Sequence, residues 1–485
     1  MMLPKTATRK ILVAVPAASL RVDSPTVDEE EKESKATKVA RIAGLLAIAG
    51  VSLLACVFGG ANGVVLAVLG PSLLVCAFYP RYWWPSAAAT LLFLVPFAYA
   101  SGGVIFSYLV PSTVIMFLYV LGNLGQRPEW MGHGVAILMG LLAVYCAFQI
   151  PFGGSDNNSR KLIWILLLFF VVLLPSIVSS DPRMIWPLAL MVLVCGATLS
   201  VFGITEYVFK ANVLSEFYAA APSALTQKWG DYRILTIAGH PLVNATLLAV
   251  AGTAGLAVYL KWNYRSALLV LGLTASATIL TQSRTGIAAL VVGVGFALLG
   301  SMRGRSQGRF LASFSLLALA VVVFMQVDSP LAQRNSSVEG QGSSELRFAY
   351  LDNLPDLMQA SSMWGTGPGL SDSALQKAGG YAAGFPIESS AVQILVSMGI
   401  LGSVFLVAAI LGVLVLSVRR GAFIAPAMLA AYLVAASGFN LFEAFPTLVA
   451  LSGVLLSACV AEACVHTEQK LDRSHKGKAI FGARA

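Results

Sequence analysis

SALLVLGLTASATILTQSRTGIAALVVGVGFALLGS, residues 266–301, decides how this chain is read. Among these residues Arg284 is the only charged one. Two apolar runs, each close to the roughly 20 residues a membrane helix needs, flank the polar stretch Thr281-Gln282-Ser283-Arg284-Thr285. Similar runs recur at about 42–58, 61–79, 86–100, 103–121, 132–152, 161–179, 184–205, 239–260, 309–326, 389–417, 422–439 and 445–463. They predict an all-α polytopic integral membrane protein with about fourteen (12–14) transmembrane helices. Composition agrees, at 57% hydrophobic and 11% charged residues against about 25% charged in soluble domains.

The basic residues orient the chain. With the N-terminus in the cytoplasm and sides alternating, 23 of the 32 Lys and Arg fall in the tails and cytoplasmic turns. That asymmetry is the positive-inside pattern. The turns carry interfacial anchors: Arg81-Tyr82-Trp83-Trp84, Lys261-Trp262, Arg303/Arg305/Arg309 and Arg419-Arg420. The net charge of +9 therefore points to anionic lipid headgroups and not to nucleic acid. Residues 1–40 read as a disordered cytoplasmic tail without a cleaved signal peptide, and 466–485 as a second cytoplasmic tail. The six cysteines lie in or beside apolar runs, so no disulfide framework is expected. The four histidines, His133, His240, His466 and His475, have no metal-ligand spacing, so no metal and no cofactor is expected.

Nine basic residues face outward in this arrangement, among them Arg233, Arg284 and Arg347 at the rim of the later helices. Two outer segments, 206–238 and 327–388, exceed turn length, and long loops of this kind are often functional. In the second, Ser343 or Ser344 suits a helix cap, and Tyr350, Leu354 and Leu357 keep near-helical spacing. Pro355 and the glycine cluster 365–369 are expected to end that helix. The loop should be folded, partly helical, and lie over the outer face.

Three ordered stretches together resemble the O-antigen ligase / polysaccharide polymerase superfamily (Wzy/WaaL-like). The first is Asp231-Tyr232-Arg233, followed by Ala238-Gly239-His240-Pro241 and Asn244. The second is Thr281-Gln282-Ser283-Arg284-Thr285-Gly286. The third runs from Arg347 through Trp364-Gly-Thr-Gly-Pro-Gly369 to Glu388, Gln393, Gly399 and Gly402. The resemblance covers about 200–405 of a transmembrane domain spanning 41–465.

It implies a metal-independent glycosyltransferase that takes an oligosaccharide from undecaprenyl pyrophosphate at the outer face and passes it to an acceptor glycan. Arg233, Arg284 and Arg347 would bind the donor pyrophosphate, since guanidinium is permanently charged and pairs bidentately with phosphate oxygens. Arg284 and Glu388 would be catalytic, the carboxylate taking the acceptor proton. Asp231, His240, Trp364 and Tyr381 are supporting candidates. A chain-length regulator and a flippase are further candidate partners, beside the membrane lipids. The expected location is the bacterial inner membrane, with both termini cytoplasmic and the active face periplasmic.

Each residue also has a plainer role. Arg284 can snorkel to headgroups. Arg233 can be loop surface, and Arg347 can pair with Asp352 or Glu345. Glu388 suits a helix N-terminus on charge alone. His240 before Pro241 suits a cap, and Trp364 and Tyr381 suit an interfacial anchor. Gly365, Gly367 and Gly369 should permit positive φ and so supply shape. The ligases of the family tend to have histidine where Glu388 stands, and the polymerases often glutamate. The reading is therefore a polymerase of exopolysaccharide or O-antigen synthesis, with an O-antigen ligase or protein O-oligosaccharyltransferase as the near alternative. A lipid-linked oligosaccharide flippase or other transporter is the alternative of another class. It lacks support from an internal repeat or from charges strung along a pathway.

Overall fold

A computed structural model describes residues 35–58, 60–95, 110–124, 133–152, 158–179, 181–214, 232–302, 352, 354–377, 387, 389–445 and 448–464. Among the described residues all regular structure is helical. The helices are α1 (Lys35–Phe58), α2 (Gly60–Phe78), α3 (Trp84–Leu94), α4 (Pro111–Asn123), α5 (His133–Phe152), α6 (Asn158–Val178) and α7 (Ile185–Phe209). Next come α8 (Pro241–Trp262), α9 (Ser266–Leu280), α10 (Arg284–Ser301), α11 (Leu354–Ser361) and α12 (Ser371–Lys377). The last are α13 (Ser390–Arg419), α14 (Ile424–Ser437), α15 (Leu441–Ala444) and α16 (Leu448–Cys464).

Among the described residues six helices are long and apolar enough to cross a membrane: Ala36–Ala55, Asn158–Val178, Pro182–Phe209, Pro241–Trp262, Arg284–Ser301 and Ser390–Arg419. Six more apolar helices are shorter, among them α4, α9, α14 and α16. The expected run 86–100 is one that falls short. Its helix α3 has 11 residues, about 16 Å of length, against a hydrocarbon core of about 30 Å. Every residue of α3 is buried, so it packs inside the protein. The run 309–326 and most of the loop 327–388 lie outside the described residues, as do residues 1–34 and 465–485.

The centre of the bundle is α8, whose residues are nearly all buried. It packs against α7, α9, α10 and α14. Small residues allow that closeness, as membrane helices without a hydrophobic drive between them require. A Cβ on Gly255 would come within 2.7 Å of the Ala267 carbonyl on α9, and one on Gly293 within 2.2 Å of Thr253 Oγ1 on α8. Cys76, Cys146, Cys195 and Cys459 are thiols without a disulfide.

The two ends of the bundle differ in chemistry. At one, the Arg183 guanidinium lies 5.1 Å from the Tyr82 ring, and Trp186 meets Trp262 at 5.1 Å and Tyr264 at 5.4 Å. There the buried Glu462 of α16 accepts hydrogen bonds from the N–H groups of Phe423, Ile424 and Ala425 at 3.2, 3.3 and 2.9 Å. It also pairs with Lys261 at 3.2 Å. A carboxylate at the start of α14 satisfies the donors that a helix N-terminus leaves unpaired.

Candidate functional site

The opposite end gathers three chain segments. The first is 232–240, between α7 and α8. Arg233 is buried, and its Nε donates to the Thr281 carbonyl at 3.0 Å. The Ile234 N–H points at the Leu280 carbonyl at 3.5 Å, so this strand of loop lies along the end of α9. Thr236 and Gly239 take positive φ, 51° and 69°, and bring His240 to the start of α8. His240 is the N-cap: its Nδ1 accepts from the Leu242 N–H at 3.2 Å, which leaves the proton on Nε2. Its ring stacks on Phe439 at 5.5 Å and lies 5.2 Å from Phe445. Burial, and then the Arg233 charge, push its pKa down to about 3. His240 thus caps α8, and its burial disfavours the charged imidazolium.

The second segment is the polar stretch that divides 266–301. Gln282 adopts φ 54°, and the Ser283 hydroxyl caps α10 by accepting from the Gly286 N–H at 3.0 Å. Arg284 is the first residue of α10 and is exposed. A helix N-terminus carries partial positive charge and favours anions. An arginine at that position adds a full charge to it.

The third segment is 438–445, between α14 and α16. A Cβ on Gly438 would stand 2.0 Å from Thr285 Cγ2, so this turn lies directly against the start of α10. It also holds the start of α13. The Ser390 N–H and hydroxyl both donate to the Phe439 carbonyl, at 3.0 and 2.7 Å, and the Ser389 hydroxyl donates to the Ser437 carbonyl at 3.0 Å. Segments carrying Arg233, His240 and Arg284 and the chain next to Glu388 therefore share one rim. Asp231, Arg347, Tyr381 and Glu388 themselves lie outside the described residues.

The glycine cluster has a role that its composition did not reveal. The run expected as one continuous helix over 389–417 is interrupted: Gly399 sits at φ 65°, ψ 179° within α13. The break frees backbone groups, and such groups need partners in apolar surroundings. Residues 363–367 supply them. The Thr366 and Gly367 N–H groups donate to the Val396 and Ser397 carbonyls at 3.2 and 2.8 Å, and the Ile400 N–H donates to the Met363 carbonyl at 3.3 Å. The Tyr145 hydroxyl lies 2.8 Å from both the Trp364 and the Met398 carbonyl oxygens. Gly365, Gly367 and Gly369 have φ of 83°, 109° and 80°. A Cβ on Gly365 would fall 2.4 Å from the Ser397 carbonyl oxygen, and one on Gly369 would fall 1.9 Å from Trp164. Trp364 remains 56% exposed, with its ring 6.4 Å from that of Tyr145.

Pro355, expected to end a helix, instead lies within helical backbone: Asp352 and Leu354–Ser361 are helical, and the helix stops ahead of the glycine cluster. Helices α11 and α12 pack on α13 through Leu357, Ala374, Leu375, Val392 and Val396. Two buried acids at this end were not singled out from the sequence. Glu443 accepts from the Ser371 N–H and hydroxyl at 3.0 and 2.5 Å, and burial pushes its pKa up to about 7 against those bonds. Glu206 of α7 accepts from the Leu235 and Thr236 N–H groups at 2.9 and 2.8 Å. Glu206 opens the expected outer segment 206–238, yet α7 continues to Phe209, and a lone acid at the edge of an apolar run was the available signal.

Apolar helices of spanning length mark a membrane protein, with a polar, arginine-bearing rim at one end of the bundle. Residues 267–407 match the family model described as O-antigen ligase. Over that stretch the chain is similar to the O-antigen ligase family, whose members are membrane glycosyltransferase-like enzymes, and the match supports the O-antigen ligase / polysaccharide polymerase superfamily. The match takes in Arg284, Arg347, the glycine cluster and Glu388, while Arg233 and His240 precede it. No curated protein and no solved structure matches the chain.

Proposed function

We propose that this protein is a glycan polymerase of the bacterial inner membrane, moving an oligosaccharide from undecaprenyl pyrophosphate to an acceptor glycan in exopolysaccharide or O-antigen synthesis. The supporting observation is the shared rim: buried Arg233 anchored on Thr281, the capped α10 start with exposed Arg284, and the α13 start that follows Glu388. In the reaction, Glu388 accepts the proton of the acceptor hydroxyl, and that oxygen bonds to the anomeric carbon. The bond from that carbon to the pyrophosphate breaks, and its electron pair leaves with the phosphate oxygen. Arg284, Arg233 and Arg347 bind the charge that develops there, a task in which preorganised donors contribute several kcal/mol. Trp364, exposed beside the glycine turn, offers a face for a sugar ring, and Tyr381 is proposed beside it. Asp231 and His240 are proposed to support the arginine loop.

In this reading residues 41–465 form the transmembrane domain, 1–40 and 466–485 are cytoplasmic tails, and the site faces the periplasm. The charge is met by arginines, so the reaction is proposed to need no metal. A ligase reading is supported as well by the description of the matching family model; Glu388 in place of the ligases' histidine favours the polymerase. Incubating purified protein with a lipid-linked repeat unit, with and without chelator, separates these. A gel ladder that persists in chelator is expected. A single transfer product means a ligase, no product removes the enzyme reading, and dependence on added magnesium or manganese overturns metal independence.

A further inference from the structure

Glu206 is the only charged residue of α7 and is 2% exposed. A carboxylate so placed is costly unless both oxygens are hydrogen-bonded. Here Oε1 accepts from the Leu235 N–H at 2.9 Å and the Tyr232 hydroxyl at 3.3 Å, and Oε2 accepts from the Thr236 N–H at 2.8 Å. These donors bracket Arg233, with Tyr232 before it and Leu235 and Thr236 after. The same end of α7 adds two more restraints. Asn212 Nδ2 donates to the Thr236 carbonyl at 3.1 Å. Gly203, one turn before Glu206, lets the loop approach so closely that a Cβ there would lie 2.7 Å from Ile234 Cδ1. Thr236, at φ 51°, holds a backbone conformation that persists only when its surroundings impose it. Arg233 in turn reaches across to the Thr281 carbonyl, at the turn that carries Arg284.

We propose that Glu206 is a positioning residue for the donor pyrophosphate site: its ionised carboxylate clamps the backbone of 232–236 and so fixes Arg233 against the 281–284 turn. This rests on the reading of Arg233 as a pyrophosphate ligand. Only the ionised form presents acceptors at both oxygens. Glutamine at this position keeps one acceptor and turns an NH2 toward a backbone donor. Glu206 touches no substrate; it acts by removing the freedom of a loop whose arginine must meet the phosphates in one geometry. Misplacement of such a group by about 1 Å can cost about a hundredfold.

The test compares wild type, Glu206→Gln, Glu206→Ala, Arg233→Ala and the Glu206→Ala/Arg233→Ala double variant. Binding of an undecaprenyl-pyrophosphate-linked oligosaccharide and single-turnover transfer are measured on protein that is monodisperse by size exclusion. The expected result is a loss of donor affinity of about tenfold to a hundredfold in both Glu206 variants. The double variant should bind no more weakly than Arg233→Ala alone, because residues acting through one another are not additive. Additive losses would make Glu206 a general structural residue and overturn the proposal. A weakened Arg233→Ala beside wild-type affinity in Glu206→Gln overturns the positioning role and leaves the pyrophosphate reading standing. Wild-type affinity in Arg233→Ala overturns both. If Glu206→Ala does not accumulate, Glu206→Gln and Tyr232→Phe decide, and wild-type affinity in the pair overturns the proposal.

Discussion

Arg284 follows the Ser283 cap at the first position of α10. A cation there opposes the helix dipole, which favours an anion by about 0.3–1 kcal/mol at that end. The position becomes favourable once a phosphate binds. Arg284→Ala should therefore slow transfer by about a hundredfold or more, and Arg284→Lys by less, because lysine keeps the charge and loses the planar fork. The side chain is exposed, so folded protein should accumulate normally. Wild-type transfer from Arg284→Ala at matched abundance would remove it from the site. Glu443 is a residue of the opposite kind. It is buried, and its carboxyl titrates at about 7 when folded against 4.5 as an ordinary carboxyl. The folded state thus binds this proton more tightly than the unfolded one. Its contribution is fully present below pH 4.5 and is lost as pH rises to about 7. Melting temperature in detergent should fall over that window and stay level above it. Glu443→Gln, which mimics the neutral form, should flatten the fall; an unchanged slope would mean that Glu443 is not the group responsible.

At the scale of the element, α13 carries the main surprise. Its apolar run was legible because a membrane helix is a local requirement on some twenty residues. The break at Gly399 was not, since a glycine has the same apolar character inside a helix or at an interruption. What identifies the break is its partner, Met363–Gly367, some thirty residues earlier in the chain, and the contact is backbone to backbone. The caps were legible where side-chain chemistry signals them, as with Ser283, and His240 before Pro241. The role of Glu206 is not legible in the sequence because its partners are mostly backbone N–H groups, which leave no trace in residue identities. Gly399→Ala should be among the most damaging conservative changes. Its φ of 65° with ψ 179° falls in a region essentially reserved for glycine and costs about 1–3 kcal/mol for an L side chain, and the Cβ would meet the Met363 carbonyl oxygen at 2.5 Å. Gly295→Ala in α10, where nothing stands within 4 Å, should be neutral or slightly stabilising. Thermal shift by fluorescence-detected size exclusion compares them, and equal stability of the two variants would refute the close approach at the break.

Across the whole molecule, the arginine rim lies at one end and the aromatic turns with Lys261 at the other. With the second end cytoplasmic, as the excess of Lys and Arg argues, single cysteines at Ser336 and Ser306 in a background lacking the native thiols should label oppositely. An impermeant thiol reagent should reach position 336 from outside the intact cell, and labelling of position 306 would invert the arrangement. The salt bridge between Lys261 and Glu462 joins residues 201 apart in sequence. A ribosome delivers α8 long before it delivers α16. Throughout that interval the Lys261 ammonium lacks the Glu462 carboxylate, as do the three amides at the start of α14 once they are made. The nascent bundle must therefore keep this edge near water or within the insertion machinery until the last helix arrives. Closure of this edge then becomes a late event of biogenesis, timed by translation of α16.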